Sequence, residues 1–306
     1  MKAGNRKRWI VGFVAVVVVV LVAVAVWPGP KEPEYEGKKL SEWLELQPLQ
    51  SRESAEAVRA IGTNAVPFLT RWVEFELPPW RLRLLRTYAK VPNPLRINKV
   101  GSWVVDSDAQ RRAANAVNGF QVLGDWARSA VPELARYIAD PAKLDYSRVA
   151  IALAYAGGEE ALPPLLTALE DKSRPAIRRT SCAVAIGRVK YRGPELKQAI
   201  PVLISCVQET NQFVPSVAAA TLGTLGIQAE ICVPVLSNAT RSADVRLRRN
   251  SVRALGEFGP AARSALNVVT NATNDSDWNV KKEATNALAK ITGEMWATNV
   301  VSEGHE

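Results

Sequence analysis

The chain is predicted to be an all-α solenoid preceded by one N-terminal transmembrane helix, and three observations predict it. First, a pattern of small residue, aliphatic, proline, any residue and aliphatic recurs in register. The copies are Ala65–Leu69, Ala130–Leu134, Ala161–Leu165, Ala199–Leu203 and Cys232–Leu236, with Ala265–Val269 carrying Asn267 at the proline position. From Pro132 onward the anchors lie 31, 38, 33 and 33 residues apart, and Pro67 lies 65 before Pro132, about two periods. Second, each copy holds helical offsets: Ala229, Cys232, Val233 and Leu236 stand at 0, 3, 4 and 7, one face of a helix. Third, residues 9–27 contain no charge. Units of this period bury their apolar faces only by stacking on neighbours.

Taken in order, residues 1–8 form a basic flank with Lys2, Arg6, Lys7 and Arg8. Residues 9–27 span about 28 Å as a helix, which suits a hydrocarbon core of about 30 Å. Trp9 and Trp27 stand at its two ends as interfacial anchors. Residues 28–39 carry three Lys and three Glu and read as a short tether opening on Pro28-Gly29-Pro30. Charge asymmetry predicts a single-pass membrane protein, its N-terminus cytoplasmic and its solenoid exported, on the periplasmic side in a Gram-negative bacterium. A cleaved signal peptide is the alternative, with Ala23-Val24-Ala25 as its cleavage site. Either way the domain leaves the cytoplasm.

Residues 40–306 are expected to be the solenoid. In the fifth copy, Ala218, Ala219, Ala220, Leu222 and Leu225 form a small-residue helix ending near Gly223 and Gly226, where glycine suits the left-handed closing residue. Proline belongs in a first helical turn, so the anchors mark the start of each second helix. Asp277 is expected to cap a helix beginning near Asn279. Asp140, Asp171, Asp244 and Asp275 precede Arg148, Arg178 and Arg179, Arg246, and Lys281, which reads as a ladder of caps and inter-repeat pairs.

The segment Val252-Arg253-Ala254-Leu255-Gly256-Glu257-Phe258-Gly259, followed by Ala262 to Val269, resembles HEAT repeats. The resemblance covers roughly residues 50–291 and implies about seven HEAT-like helix pairs. Tyr35 to Leu44 is similar to the segment that opens membrane-anchored HEAT-repeat proteins of Verrucomicrobia-like bacteria. The broad family shares no reaction; its members mostly scaffold or bind macromolecules.

The formal charge is +9, of which the basic flank supplies four positive charges and no negative ones. The remainder is too mild for a nucleic-acid footprint, and export argues further against DNA or RNA. Cys182, Cys206 and Cys232 occupy small-residue positions of the repeat, where free Cys acts as a small hydrophobe. A Cys206–Cys232 bridge between adjacent repeats stays open.

The single histidine, His305, is one residue from the end, so a Ser-His-Asp or Cys-His arrangement would need a frayed tail. The three cysteines lack paired zinc spacing. The His-Glu dipeptide that repeats in iron-binding HEAT-like enzymes occurs once, as His305-Glu306. Asp275 to Asn279 opens like a calcium loop, but Val280 and Asn286 replace the required Gly and Glu. The chain is therefore expected to use no cofactor, metal or small-molecule substrate, and to be no enzyme.

Residues 77–105 break the register, as an irregular insertion or a degenerate repeat. They hold no acid. Trp80, Arg81, Arg83, Arg86, Tyr88, Lys90, Arg96, Lys99 and Trp103 interleave cations with aromatics, and Arg81 to Tyr88 suggest a basic amphipathic helix. Anionic lipid, an acidic partner or a polyanionic glycan would suit it; a degenerate repeat with core aromatics and solvated arginines is the structural alternative. The function expected is a membrane-tethered, non-enzymatic solenoid that binds or scaffolds a protein partner outside the cytoplasm. A HEAT-like enzyme of lyase or DNA glycosylase type, and a structural envelope spacer, are the alternatives.

Overall fold

A computed structural model describes residues 31–46, 51–90, 107–143, 146–211 and 213–293. The expected membrane span, residues 9–27, lies outside them, as does His305. Among the described residues no helix is long and apolar enough to cross a membrane.

Part of the expected tether is folded. Strands β1 (Glu34–Tyr35) and β2 (Lys38–Lys39) pair antiparallel, with Glu34 opposite Lys39. Gly37 turns the hairpin at φ +74°. It leads into α1 (Leu40–Glu45), whose Trp43 is buried and donates from Nε1 to the Tyr35 carbonyl at 3.0 Å. The hairpin rests on α2 (Arg52–Ile61), and α1 rests on both α2 and a later helix, α5. The first helices are thus capped by a folded element.

The helices then alternate between two layers. The proline-bearing layer holds α3 (Val66–Val73) and, further on, α6 (Val131–Ala139), α8 (Leu162–Glu170), α10 (Ala199–Val207), α12 (Ala229–Ala239) and α14 (Leu266–Ala272). The small-residue layer holds α2, α5 (Ser107–Leu123), α7 (Tyr146–Ala156), α9 (Ala176–Arg188), α11 (Val214–Leu225), α13 (Val245–Glu257) and α15 (Trp278–Thr292). One more helix, α4 (Pro79–Tyr88), belongs to neither layer. The described chain is therefore six helix pairs and a closing helix, against the seven pairs expected.

The small-residue helices stack directly on one another; the proline-bearing ones meet more sparsely. Alanine and glycine explain the difference. A Cβ built on Gly223 would stand 2.6 Å from Cα of Ala254, and one on Gly256 would stand 2.9 Å from Cα of Ala287. Gly223 is therefore a packing residue inside α11, and Gly226 alone closes that helix, in the left-handed conformation. Polar side chains bind the same layer across repeats. Thr221 Oγ1 donates to the Ala183 carbonyl at 3.0 Å, and Asn250 Nδ2 donates to the Ser216 carbonyl at 2.8 Å.

Most anchor prolines sit in the first turn, as the sequence implies: Pro67, Pro132 and Pro163 occupy the second position of their helices. Pro234 instead lies inside α12. Short 3-10 turns precede α3, α6 and α8, whereas α12 starts directly at Ala229 behind Gln228, which adopts φ +53°. The earlier start carries the proline into the body of the helix. Cys182, Cys206 and Cys232 are buried and free, so no bridge joins Cys206 to Cys232.

Candidate functional site: the turn edge and its insertion

Each proline-bearing helix reaches the following small-residue helix through a tight turn, such as residues 171–175, 240–244 and 273–277. These turns and the helix starts behind them form one edge of the solenoid. Helix α3 packs on α5 as α8 packs on α9 and α10 on α11. In sequence, residues 74–106 thus stand where a single turn stands elsewhere, which favours the insertion of the two readings left open. Without them Pro67 and Pro132 would stand one repeat apart.

The described start of the insertion is fastened to the next turn. Tyr137 OH donates to Glu76 Oε1 at 2.6 Å, and Arg148 Nη2 donates to the Phe75 carbonyl at 2.8 Å. Burial, reinforced by Glu133, pushes the Glu74 carboxyl above its usual range. Then comes α4, which has no buried residue and packs extensively against no other described element. Trp80 is 49% exposed and Leu84, one turn later, 42%. Arg83, Arg86 and Lys90 follow at helical offsets 0, 3 and 7 and are exposed beside that pair. The Arg81 guanidinium lies 5.3 Å from the Trp80 ring centroid. Of the residues expected to make contact, Trp80, Arg81, Arg83, Arg86, Tyr88 and Lys90 are thus brought onto one short segment. Arg96, Lys99 and Trp103 lie outside the described residues.

The remaining edge is built from arginines that tie one turn to another. Arg179 donates to both carboxylate oxygens of Glu209 at 2.7 and 2.6 Å, and from Nε to the Leu169 carbonyl at 2.7 Å. Arg248 does the same to Asp275 at 2.8 and 2.9 Å. Arg174 pairs with Asp171 at 2.9 Å and reaches back to the Ile138 carbonyl at 2.6 Å. The sequence assigned several of these acids to other partners: Asp171 to Arg178 and Arg179, Asp275 to Lys281. The arginine side chain is long enough to bypass its nearest acid and bridge a whole repeat, so spacing alone does not name the pair. Arg179 is buried, and Glu209, Arg248 and Asp275 are half-buried. The two guanidinium groups hold Glu209 and Asp275 below the usual carboxylate range. Asp277 caps α15 through the amides of Asn279 and Val280, as expected.

On this framework stand large apolar side chains that the sequence reading missed. Ile177 is 71% exposed and Trp278 62%; Phe213 and Val245 are exposed as well. All four sit at the cap or in the first turn of successive small-residue helices. The signal was present: a bulky apolar residue directly after each turn, outside the burial pattern. Cations lie over the aromatics of the edge. Arg246 stands 4.8 Å from the Phe213 ring centroid, Arg178 4.8 Å from Tyr146, and Lys143 4.7 Å from Tyr137. Of the nine exposed large hydrophobics among the described residues, four (Ile177, Phe213, Val245 and Trp278) lie at these helix starts and two (Trp80 and Leu84) on α4. Scattered exposure would not sort itself this way.

The opposite edge carries a pocket of about 380 Å³ lined by Trp126, Tyr155, Tyr191, Arg128 and Lys190 among others. Its cations have protein partners. Lys190 donates to the Gln121 carbonyl at 2.9 Å, and Arg128 stands 3.7 Å from Asp125. A carboxylate of Glu195 accepts from the Tyr191 hydroxyl and pushes that phenol above its usual range. Among the described residues no group of three or more His, Cys, Asp or Glu is placed to hold a metal.

No curated protein matches the chain. Solved structures do. Human deoxyhypusine hydroxylase in complex with glycerol matches at 19% identity and a TM-score of 0.36, covering 83% of this chain and 95% of that one. The complex of CpcE and CpcF of phycocyanin lyase from Nostoc sp. PCC7120 matches at 19% identity and a TM-score of 0.39, covering 87% and 98%. Both are enzymes by name, so the expectation that the chain is no enzyme is withdrawn. Likeness this distant transfers no reaction, substrate or residue. The HEAT repeats family matches residues 131–223 and 233–300, more than half of the chain. The stacked proline-bearing and small-residue helices are the repeats of that family, and the chain belongs to it.

Proposed function

We propose that the chain is a membrane-tethered HEAT solenoid that binds a protein partner along its turn edge, outside the cytoplasm. One observation carries this reading: exposed apolar side chains stand at equivalent places in four successive repeats, with a guanidinium over the Phe213 ring. Stacking does not require them there, since their buried neighbours already fill the core. Aromatic and arginine side chains are the groups that dominate protein interfaces. The cationic, aromatic character of the edge suits a partner segment that pairs apolar side chains with acids. The tether reading is supported by the uncharged run of residues 9–27, the basic flank before it, and the likeness of residues 35–44 to membrane-anchored members of the family.

The experiment replaces Phe213 and Trp278 with alanine in the full chain and measures capture of the partner cross-linked in intact envelopes. Affinity should fall at least about tenfold, as for the loss of interface anchors. Folding should be nearly unchanged, because both side chains are exposed. The control replaces Trp126 and Ile231, exposed away from this edge, and should leave capture intact. Equal loss from both pairs would defeat the reading.

A second reading is an enzyme of HEAT-like architecture. The observation that favours it is the half-open aromatic pocket on the opposite edge. Screening for ligands whose binding is abolished by Tyr191→Phe together with Trp126→Ala tests it.

A further inference from the structure

We infer that α4, the helix of the insertion, lies on the surface of an anionic membrane. The inference rests on the tether reading and deepens it by giving the membrane a second point of contact. Three observations carry it. The first is the helix itself: exposed Trp80 and Leu84 border a row of exposed Arg83, Arg86 and Lys90. A short helix with an aromatic and aliphatic stripe beside cations matches the headgroup boundary of a bilayer. The second is charge. Residues 77–90 hold four cations and no acid, whereas the rest of the edge interleaves Asp171, Asp244, Asp275 and Asp277 with its arginines. A uniformly anionic lipid surface complements the first; a mixed-charge protein surface complements the second. The third is reach. The described chain begins at Lys31, and the residues separating it from Trp27 span at most about 14 Å when extended. The hairpin that follows from Glu34 caps the first repeat. Glu45 of α1 pairs with Arg111 at 3.1 Å, at the start of the helix that closes the insertion. The point where the chain leaves the bilayer and the insertion therefore share one end of the solenoid.

The test uses the full chain reconstituted in vesicles, either of phosphatidylcholine alone or of equal parts phosphatidylcholine and phosphatidylglycerol. An environment-sensitive fluorophore is attached through Leu84→Cys. The three native thiols are buried, with pKa values pushed up to about 11 to 12, so they compete little for the reagent. In anionic vesicles the label should gain emission several-fold, shift to the blue and be quenched by brominated lipid. Neutral vesicles should show much less of each. Arg83→Glu with Arg86→Glu should reverse the effect; each cation removed weakens attachment about fivefold, and 0.5 M-scale salt acts in the same direction. The same label at Ile231→Cys should stay water-like throughout. Alkaline carbonate extraction reads the tether separately. Chain in the pellet with a water-like Leu84 label overturns the helix inference and leaves the tether intact. Emission that rises without quenching by lipid also overturns it, since the helix then docks on protein. Chain in the supernatant overturns the tether, and the inference with it.

Discussion

The pairs Arg179–Glu209 and Arg248–Asp275 each join a helix start to the following turn. Arg248 and Asp275 are half-buried, so Arg248→Ala, which leaves Asp275 without its two charged hydrogen bonds, should destabilise the domain by about 1–3 kcal/mol in urea unfolding. The pH dependence follows from the direction of the shifts. Glu209 and Asp275 have folded pKa values below their unfolded values of about 4.3 and 3.9. Their stabilisation is complete above those unfolded values and is lost as pH falls through them toward the folded ones. Urea midpoints should therefore be flat from neutral pH to about pH 5 and then drop. In Arg248→Ala the Asp275 share of that drop should disappear. An unchanged acid limb would mean that the pair does not hold Asp275 low. The cysteines offer a simpler reading. Burial pushes Cys182 up to about 12 and both Cys206 and Cys232 up to about 11. All three should resist a thiol reagent at pH 8 until the chain unfolds. Rapid modification of the native protein would show that one of them is accessible. Their burial was legible beforehand, because each aligns with alanines of other repeats. The acid–base partners were not, because a flexible arginine chooses among several acids within reach.

At the scale of the element, the close stacking of the small-residue helices makes a sharp prediction. Gly223→Ala improves intrinsic helix propensity by up to about 1 kcal/mol. It also places a methyl 2.6 Å from the Cα of Ala254, where backbone must yield. Overpacking should win, with a net loss of about 1–3 kcal/mol in chemical denaturation. Gly187→Ala is the matched comparison. Its new methyl would meet Thr221 Cγ2 at 3.4 Å, an ordinary contact, and stability should hold or rise. Equal losses at the two sites would place the cost in the glycines' backbone rather than in helix approach. Helix periods and proline anchors were readable from spacing. The exception, Pro234 inside α12, depends on whether a 3-10 turn precedes the helix, and that is decided by backbone geometry at Gln228.

For the whole molecule, the irregular stretch expected at residues 77–105 bears most on the repeat count. The length of residues 74–106 is close to one repeat, so the spacing of Pro67 and Pro132 reads as a missing unit. Packing of α3 directly on α5 favours an insertion over a degenerate repeat. Joining Pro78 to Ser107 leaves a turn as short as residues 171–175 and keeps Phe75 and Glu76 in place for Arg148 and Tyr137. The shortened chain should keep its helicity and melt within a few degrees of the parent. Collapse of the fold would restore the repeat reading. Among the described residues beyond the insertion, the solenoid presents four of its six exposed large apolar residues on one edge. That sorting was hidden in the sequence, where Ile177, Phe213, Val245 and Trp278 look like four unrelated hydrophobics among many. Photo-cross-linking in intact envelopes tests it most directly, with a photoreactive phenylalanine placed singly at 213, 278, 126 and 231 of the full chain. The account predicts one shared protein adduct from 213 and 278 and none from 126 or 231; adducts from 126 and 231 with none from 213 and 278 would contradict it.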